Sequence, residues 1–162
     1  MRLSTVLTVL LSIAVLAGCA SPTVFAPGSS IVDVRAKVGT PTDSRFDRNG
    51  DELWEYALGP SGFETYIVRL SGDGKVKDVT QVLTDDQLMK VVPGTMTKAD
   101  VRNLLGRPTD ESFTFAGTVW SWRFKREGVA PGWLTVRFNP DNTVMERIAI
   151  IDVTGGRMMD GK

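Results

Sequence analysis

Histidine is absent from this 162-residue sequence, and cysteine occurs once, at Cys19. Without histidine the chain lacks the commonest general base, the commonest zinc ligand and every Ser-His or Cys-His catalytic pair. A single cysteine excludes an internal disulfide framework and any metal site built from several cysteines. We therefore expect a protein that is not an enzyme and that holds neither a metal nor another cofactor.

The sequence also has no excess of charge of either sign, because 19 lysine and arginine residues stand against 19 aspartate and glutamate residues. A protein dedicated to nucleic acid needs a basic excess to displace the counterions of the phosphates. We therefore expect no nucleic-acid partner. The composition, 42% hydrophobic and 23% charged, is that of a chain able to bury a core.

The long uncharged run at the start of the chain is too short to cross a membrane. It covers residues 3–17, whereas a membrane-spanning helix needs about 20 residues. The run ends in Leu-Ala-Gly-Cys at 16–19, which resembles the lipobox of bacterial lipoproteins. In that motif the signal peptide is removed before the cysteine, and the cysteine receives acyl chains such as palmitate. We predict a lipoprotein signal peptide at 1–18 and lipidation at Cys19; the alternative is a buried cysteine behind an ordinary signal peptide.

The residues after the predicted cleavage site bear on where the protein resides. Ala20 and Ser21 follow the cysteine with no aspartate, which resembles the pattern of lipoproteins sorted to the outer membrane. Two or more acyl chains anchor a protein stably, whereas one chain binds only marginally. We expect a lipid-anchored protein of the outer membrane that faces the periplasm.

The rest of the chain contains one pattern twice. Residues 33–46 align with residues 100–113 at an offset of 67, and 8 of these 14 positions are identical. Ordinary residue usage gives about one identity by chance. The similarity continues in the tryptophan-containing segments 54–56 and 120–122. We interpret the pattern as a tandem duplication.

Each unit has the pattern of a helix followed by three strands. In the second unit apolar residues recur at helical spacing over 98–105, between an N-capping threonine and a glycine. The segments 119–125 and 133–138 alternate as half-buried strands do, and 144–151 is a third strand whose faces its pattern does not assign. Hairpin turns separate them. The predicted fold class is α+β, with the short helices of each unit packed on a three-stranded antiparallel sheet.

These features divide the chain into five parts. Two units of roughly 60 residues would be marginal alone, so we expect them to pack as one body. The parts are a signal peptide at 1–18, a lipidated linker at 19–29, a first repeat at 30–83, a second repeat at 84–153 and a flexible tail at 154–162.

The beginning of the second unit carries a recognisable motif. It contains Gly-Thr-Met-Thr at 94–97, a helix with an apolar stripe, and Leu-Gly-Arg-Pro at 105–108, before the tryptophan-containing strand. The segment 84–108 resembles the SmpA/OmlA family of BamE-like outer-membrane lipoproteins, and the first unit resembles it more weakly. The same fold in tandem copies is that of the secreted β-lactamase inhibitor protein.

The resemblance implies a non-enzymatic scaffold that acts in outer-membrane β-barrel protein assembly or envelope integrity. Its implied partners are the barrel-assembly proteins, with phosphatidylglycerol headgroups as a lesser alternative. The tandem fold implies a second function, that of a periplasmic inhibitor or binding protein of a hydrolase.

One tryptophan does not follow the apolar alternation. Trp133 shares its face of the strand with Arg137, and antiparallel pairing with 119–125 would bring Arg123 and Lys125 to the same face. An exposed tryptophan among basic residues is typical of a protein-binding hot spot. We predict that these four residues bind a partner, and the alternative is that the other unit or a loop shields Trp133.

The remaining aromatic residues of the strands repeat between the units on the apolar faces. We therefore predict that they belong to the core; they are Trp54, Tyr56, Trp120 and Trp122. On the opposite face of the first sheet we expect Glu55 and Arg69 to pair across neighbouring strands.

Overall fold

The computed structural model describes residues 21–58, 63–124 and 131–151. The predicted signal peptide, the predicted lipidation site Cys19, the predicted binding residue Lys125 and the predicted tail at 154–162 lie outside these residues. Within the described ranges, no helix has the length and apolar character needed to span a membrane.

The described chain forms two four-stranded antiparallel sheets with short helices, so the predicted α+β class is confirmed. The first sheet follows a 3-10 helix at Pro22–Val24 and helix α1 at Ile31–Val38, and contains in order β1 at Asp43–Phe46, β2 at Glu52–Leu58, β3 at Glu64–Leu70 and β4 at Val76–Gln81. The second sheet follows α2 at Asp85–Leu88 and α3 at Lys98–Leu105, and contains β5 at Asp110–Thr114, β6 at Gly117–Phe124, β7 at Gly132–Phe138 and β8 at Val144–Ile151.

Each sheet has one strand more than the three that we expected. The additional strands, β1 and β5, are edge strands held by main-chain pairing to β2 and β6. Every residue of β5 is exposed, and β1 alternates between exposed and half-buried. Neither strand buries an apolar face, so neither shows the alternation by which a half-buried strand is identified in a sequence.

The two longer helices begin and end at the residues that the sequence indicates. Helix α3 begins with a capping box, in which the Thr97 hydroxyl accepts from the Asp100 N–H and the Asp100 carboxylate accepts from the Thr97 N–H. Ser30 caps α1 in a similar way, by accepting from the Val32 N–H. Gly106 ends α3 with a φ of 76°, a conformation that favours glycine.

The core is layered, and α3 lies between the two sheets. One apolar cluster joins α1 to one face of the first sheet through Val34 and Trp54. The other joins α3 to the second sheet and also includes Leu53 and Ile67. Because Leu53 and Trp54 are consecutive in a strand, they point to opposite faces of the first sheet. The predicted core positions are confirmed, since all four aromatic side chains are buried: Trp54, Tyr56, Trp120 and Trp122.

Part of the segment that we expect to be a linker packs on the first sheet. Pro22 and Phe25 are buried, and Phe25 belongs to the cluster beneath α1. The Gly28 N–H donates to the Val76 carbonyl at 2.8 Å. From residue 22 onward the chain is therefore attached to the body of the protein.

Gly117, the first residue of β6 after the β5–β6 turn, occupies a position that tolerates only glycine. Its φ is 129°, and a Cβ at this residue would overlap the Phe138 carbonyl oxygen. We expect Gly117→Ala to lower the free energy of unfolding by about 1–3 kcal/mol because the backbone must move. Urea denaturation measures this loss. Gly72→Ala is the matched control, since no atom lies within 4 Å of its Cβ, and equal stability of the two variants would contradict the steric argument.

Candidate functional site

The face of the second sheet that points away from α3 is the candidate interaction surface. Trp120 and Trp122 point inward to the core, so the residues of opposite parity in β6 and their partners in β7 and β8 point outward. We call this surface the outer face and define it by Ser121, Arg123, Trp133, Thr135, Arg137 and Ile148.

The structure brings Arg123 and Trp133 together on the outer face. The two residues are directly opposite in the β6–β7 register. The guanidinium carbon of Arg123 lies 5.3 Å from the centre of the Trp133 ring and 4.7 Å from that of Phe63, which comes from the first half of the chain. Trp133 remains 38% exposed. Cation–π contact therefore orients Arg123 while much of the indole stays accessible.

Arg137 occupies the other end of the same strand. It pairs with Glu146 of β8 at 3.0 Å, and both side chains are close to half exposed. Arg137 is four positions along the strand from Trp133, a distance of about 13 Å. Between them the hydroxyls of Ser121 and Thr135 lie 3.2 Å apart. The outer face thus has an aromatic end, a small polar centre and an ion-paired end.

The corresponding face of the first sheet is covered by α3 and carries a buried ion cluster. Glu55, only 1% exposed, pairs with Arg45 at 2.8 Å and with Arg102 of α3 at 2.6 Å, and it accepts from the Arg107 N–H at 2.8 Å. Arg102 also pairs with Asp43 at 2.6 Å. Because the charges are paired and hydrogen-bonded, the cluster can remain buried between the two halves of the chain.

Glu55 does not pair with Arg69, and that expectation was wrong. In the β2–β3 register Glu55 is opposite Ile67, and Arg69 is opposite Leu53. Arg69 instead pairs with Asp47 in the β1–β2 turn and with Asp78 of β4 at 3.3 Å. The strand pattern indicates a shared face but does not specify the register.

Burial and ion pairing shift the pKa values of two charged side chains where α3 meets the first sheet. Burial lowers the pKa of Arg45, and the positive charge of Arg102 lowers it further, whereas Glu55 opposes both effects. Partial burial alone would raise the pKa of Asp100. Hydrogen bonds from the Thr97 N–H and hydroxyl, with the charge of Arg48, outweigh burial and hold the pKa of Asp100 below its usual value. Arg48 reaches Asp100 at 2.9 Å from the β1–β2 turn.

Two phenylalanine side chains are exposed near the β5–β6 turn, Phe113 at the end of β5 and Phe115 in the turn itself, and the sequence pattern did not indicate either. Phe113 is 77% exposed, and Phe115 is fully exposed. Turns favour Gly, Asn, Asp, Ser and Pro, so a phenylalanine within two residues of the turn glycine Gly117 is the sequence feature that could have drawn attention to it. Exposed aromatic side chains of this kind mark interaction sites when they adjoin a larger apolar surface.

A groove of about 590 Å³ lies between the first sheet and α3. Ile67 and Leu104 contribute apolar surface to its wall, and Arg69 pairs with Asp78 along it. Within the described ranges, no three Cys, Asp or Glu side chains are grouped so as to hold a metal ion.

Comparison with known proteins yields one structural likeness and one family. The curated proteins contain no match to this chain. The crystal structure of a DUF4309 family protein, YjgB from Bacillus subtilis, is 14% identical, with 76% of this chain and 78% of that chain covered and a TM-score of 0.28. Residues 80–147 match the model of the outer membrane protein assembly factor BamE domain. The predicted resemblance is thereby confirmed for α2, α3 and most of the second sheet, and this part of the chain is similar to the BamE family.

Proposed function

We propose that the protein is a lipid-anchored, non-enzymatic scaffold of the outer membrane that takes part in β-barrel protein assembly. The observation that carries the proposal is the match of residues 80–147 to a domain family described as an outer membrane protein assembly factor. The lipobox-like residues 16–19 support the anchor. In this proposal the barrel-assembly proteins are the partners.

The start of the folded body supports close apposition to the membrane. Pro22, which packs on the first sheet, is three residues from Cys19. Three extended residues span about 10 Å. A chain acylated at Cys19 would therefore hold its folded part at the membrane surface and not at the end of a long tether.

We propose that the chain is organised as two BamE-like repeats, at 30–83 and 84–153. The same strand order in both sheets supports it. So does a repeated ion pair, Arg69–Asp78 in the first sheet and Arg137–Glu146 in the second. In this proposal the first repeat lacks a counterpart of α2. The segment 19–29 links the acylated Cys19 to the first sheet.

We propose that the partner binds the outer face through Trp133, Arg123 and Arg137, and we retain Lys125, which lies outside the described residues, among the predicted binding residues. Aromatic and arginine side chains dominate the binding energy of protein interfaces. The exposed indole and the stacked Arg123 support this assignment. Phosphatidylglycerol stays the lesser partner, because Arg137 is already paired with Glu146.

Affinity purification tests the proposed function. The tagged full-length protein is cross-linked in cells of the native host and recovered from outer membranes. We expect barrel-assembly subunits among the cross-linked proteins, and we expect deletion of the gene to sensitise cells to large antibiotics. Recovery of no barrel-assembly subunit, together with wild-type antibiotic tolerance, would refute a role in assembly.

Arg137→Glu tests the contribution of the outer face. We expect partner recovery to fall about 3- to 10-fold, while the free energy of unfolding changes by less than about 0.5 kcal/mol, because the ion pair with Glu146 is exposed. The control is the double variant Arg137→Glu with Glu146→Arg, which restores the pair in reverse. A parallel loss of recovery and melting temperature would show that Arg137 is structural.

A further inference from the structure

We propose that the α1 side of the first sheet lies against the lipid bilayer, so that the opposite end of the protein points into the periplasm. The α1 side is the surface formed by α1, by the 3-10 helix at Pro22–Val24 and by the residues of β1 that share a face with Trp54. This inference rests on the lipid anchor of the proposed function. It adds which surface contacts the membrane.

The predicted anchor is attached on the α1 side. Phe25 belongs to the apolar cluster that joins α1 to the face of Trp54, and Lys37 of α1 lies 5.6 Å from the centre of the Phe25 ring. The chain from Phe25 back to Pro22 is therefore part of the layer that contains α1. Pro22 follows Cys19 by three residues, a reach of about 10 Å. An acylated Cys19 thus brings this layer to the bilayer surface.

The large apolar side chains that stay exposed in the first half of the described chain also lie on the α1 side. Val24 is 64% exposed, Val32 is 69% exposed and Phe46 is 70% exposed. Val32 precedes the buried Val34 by two residues in α1, so it points away from the sheet. In the β1–β2 register Phe46 falls on the face of Trp54. The three side chains therefore face the surface to which the anchor is attached.

These apolar positions extend across the width of the first sheet. Phe46 is in the edge strand β1, whereas the 3-10 helix that carries Val24 contacts the other edge strand, β4. Strands are about 4.8 Å apart, so the two edges are separated by about 14 Å. Val32 lies on α1, which packs over the same face. A flat bilayer can contact all three positions at once.

The outward ridge of α1 has the chemistry of a surface that meets lipid headgroups. Val32, Arg35 and Ala36 are exposed and are three or four positions apart, so their side chains are neighbours. Asp33 and Lys37 are likewise four apart and place opposite charges side by side. Arg35 remains as a positive charge next to Val32. An arginine can lay its apolar stem along such a surface and direct its charged end to lipid phosphates.

The contact determines orientation, and the acyl chains supply the affinity. Three apolar side chains are too few to hold a protein at a membrane, but a contact beside a short tether forms at a high effective concentration. The layers follow in the order α1, first sheet, α3 and second sheet. Neighbouring layers are about 10 Å apart, so the second sheet lies about 30 Å from α1. A partner on the outer face is therefore bound in the periplasm, beyond the lipid headgroups.

Fluorescence quenching by lipid tests the inference with the acylated full-length protein. Cys19 is the one cysteine of the chain, and acylation consumes its thiol, so an introduced cysteine is labelled alone. Val24→Cys and Val32→Cys carry the fluorophore on the α1 side, and Ile148→Cys carries it on the outer face. Each variant is purified from membranes of the native host and reconstituted in vesicles of phosphatidylethanolamine and phosphatidylglycerol, with or without nitroxide-labelled lipid.

We expect the nitroxide lipid to lower the emission from positions 24 and 32 about twofold or more, because apolar side chains at a bilayer surface enter the headgroup boundary by about 5–10 Å. Position 148 should keep its full emission. No quenching at 24 and 32, equal quenching at all three positions, or quenching at 148 alone would overturn the inference. A blue-shifted emission at 32 without quenching would mean that a second copy or another protein covers α1, and it would overturn the inference too.

A charged variant separates contact from mere proximity. Val32→Glu should remove most of the quenching at position 24 with an unchanged melting temperature, because a carboxylate cannot enter the apolar region. Thr95→Glu, at an exposed threonine outside the α1 side, should keep the quenching. If a labelled variant does not fold, Phe46→Cys replaces it, and absence of quenching in the folded variants would overturn the inference.

The failures are distinguishable. Intact-mass analysis before reconstitution shows whether Cys19 is acylated. An unmodified Cys19 would refute the anchor of the proposed function and the inference with it. An acylated protein without quenching on the α1 side would overturn the inference alone, and recovery of barrel-assembly subunits by cross-linking would still decide the role in assembly.

Discussion

Replacing Glu55 with alanine is expected to lower the free energy of unfolding by about 3–5 kcal/mol. The change removes the acceptor shared by Arg45, Arg102 and the Arg107 N–H. Two guanidinium groups would then face each other with Asp43 as their remaining carboxylate partner. In a protein of this size the melting temperature should fall by roughly 10–20 °C.

Urea denaturation of the purified protein measures this effect, with Glu64→Ala as the matched control. Glu64 is an exposed glutamate in β3, and its carboxylate makes a weak contact with the Tyr66 hydroxyl at 3.4 Å. Its removal should change the stability by less than about 0.5 kcal/mol. Equal losses in the two variants would mean that the ion cluster does not hold α3 to the first sheet.

Replacing Cys19 with serine is expected to prevent acylation, so that the protein no longer appears in the outer-membrane fraction. Serine cannot form the thioether through which a lipoprotein carries diacylglycerol. Each buried methylene contributes about 0.8 kcal/mol to membrane binding, so loss of the acyl chains removes nearly all of the affinity. The balanced charge of the chain leaves no strong electrostatic hold on anionic lipid.

Fractionation of native-host cells measures the distribution, and intact-mass analysis measures the acyl chains directly. Ala20→Ser introduces the same side chain one residue later and should leave the protein in the membrane fraction. A wild-type protein with an unmodified Cys19 thiol, free in solution, would contradict the lipidation proposal and remove the membrane anchor from the proposed function.

Local chemistry made the helices and the core predictable. Thr97, Asp100 and Gly106 specify the ends of α3 within nine residues, because capping and a positive φ depend on neighbouring groups. The alternation around Trp120 and Trp122 likewise indicated which side chains are buried. The edge strands β1 and β5 escaped prediction since they bury no apolar face.

The candidate surface was predictable only in part. The parity of Trp133 and its pairing with Arg123 follow from alternation and a hairpin. The exposure of Ile148 did not follow, because β8 lacks a regular apolar pattern. Phe115 carries a local signal, since phenylalanine is unusual in a tight turn, but only the tertiary structure shows that its side chain is fully exposed.

The sequence by itself determined the α+β class, the helix ends, the aromatic core and the resemblance of the second half to BamE-like proteins. Tertiary structure alone decided that α3 lies between the sheets, that Glu55 is buried among arginines, and that Trp133 and Ile148 stay partly exposed on the equivalent face of the second sheet. The reason is physical. Caps and alternation depend on residues a few positions apart, whereas the docking of a helix on a sheet joins Glu55 to Arg102, 47 residues away, through packing that no local pattern specifies.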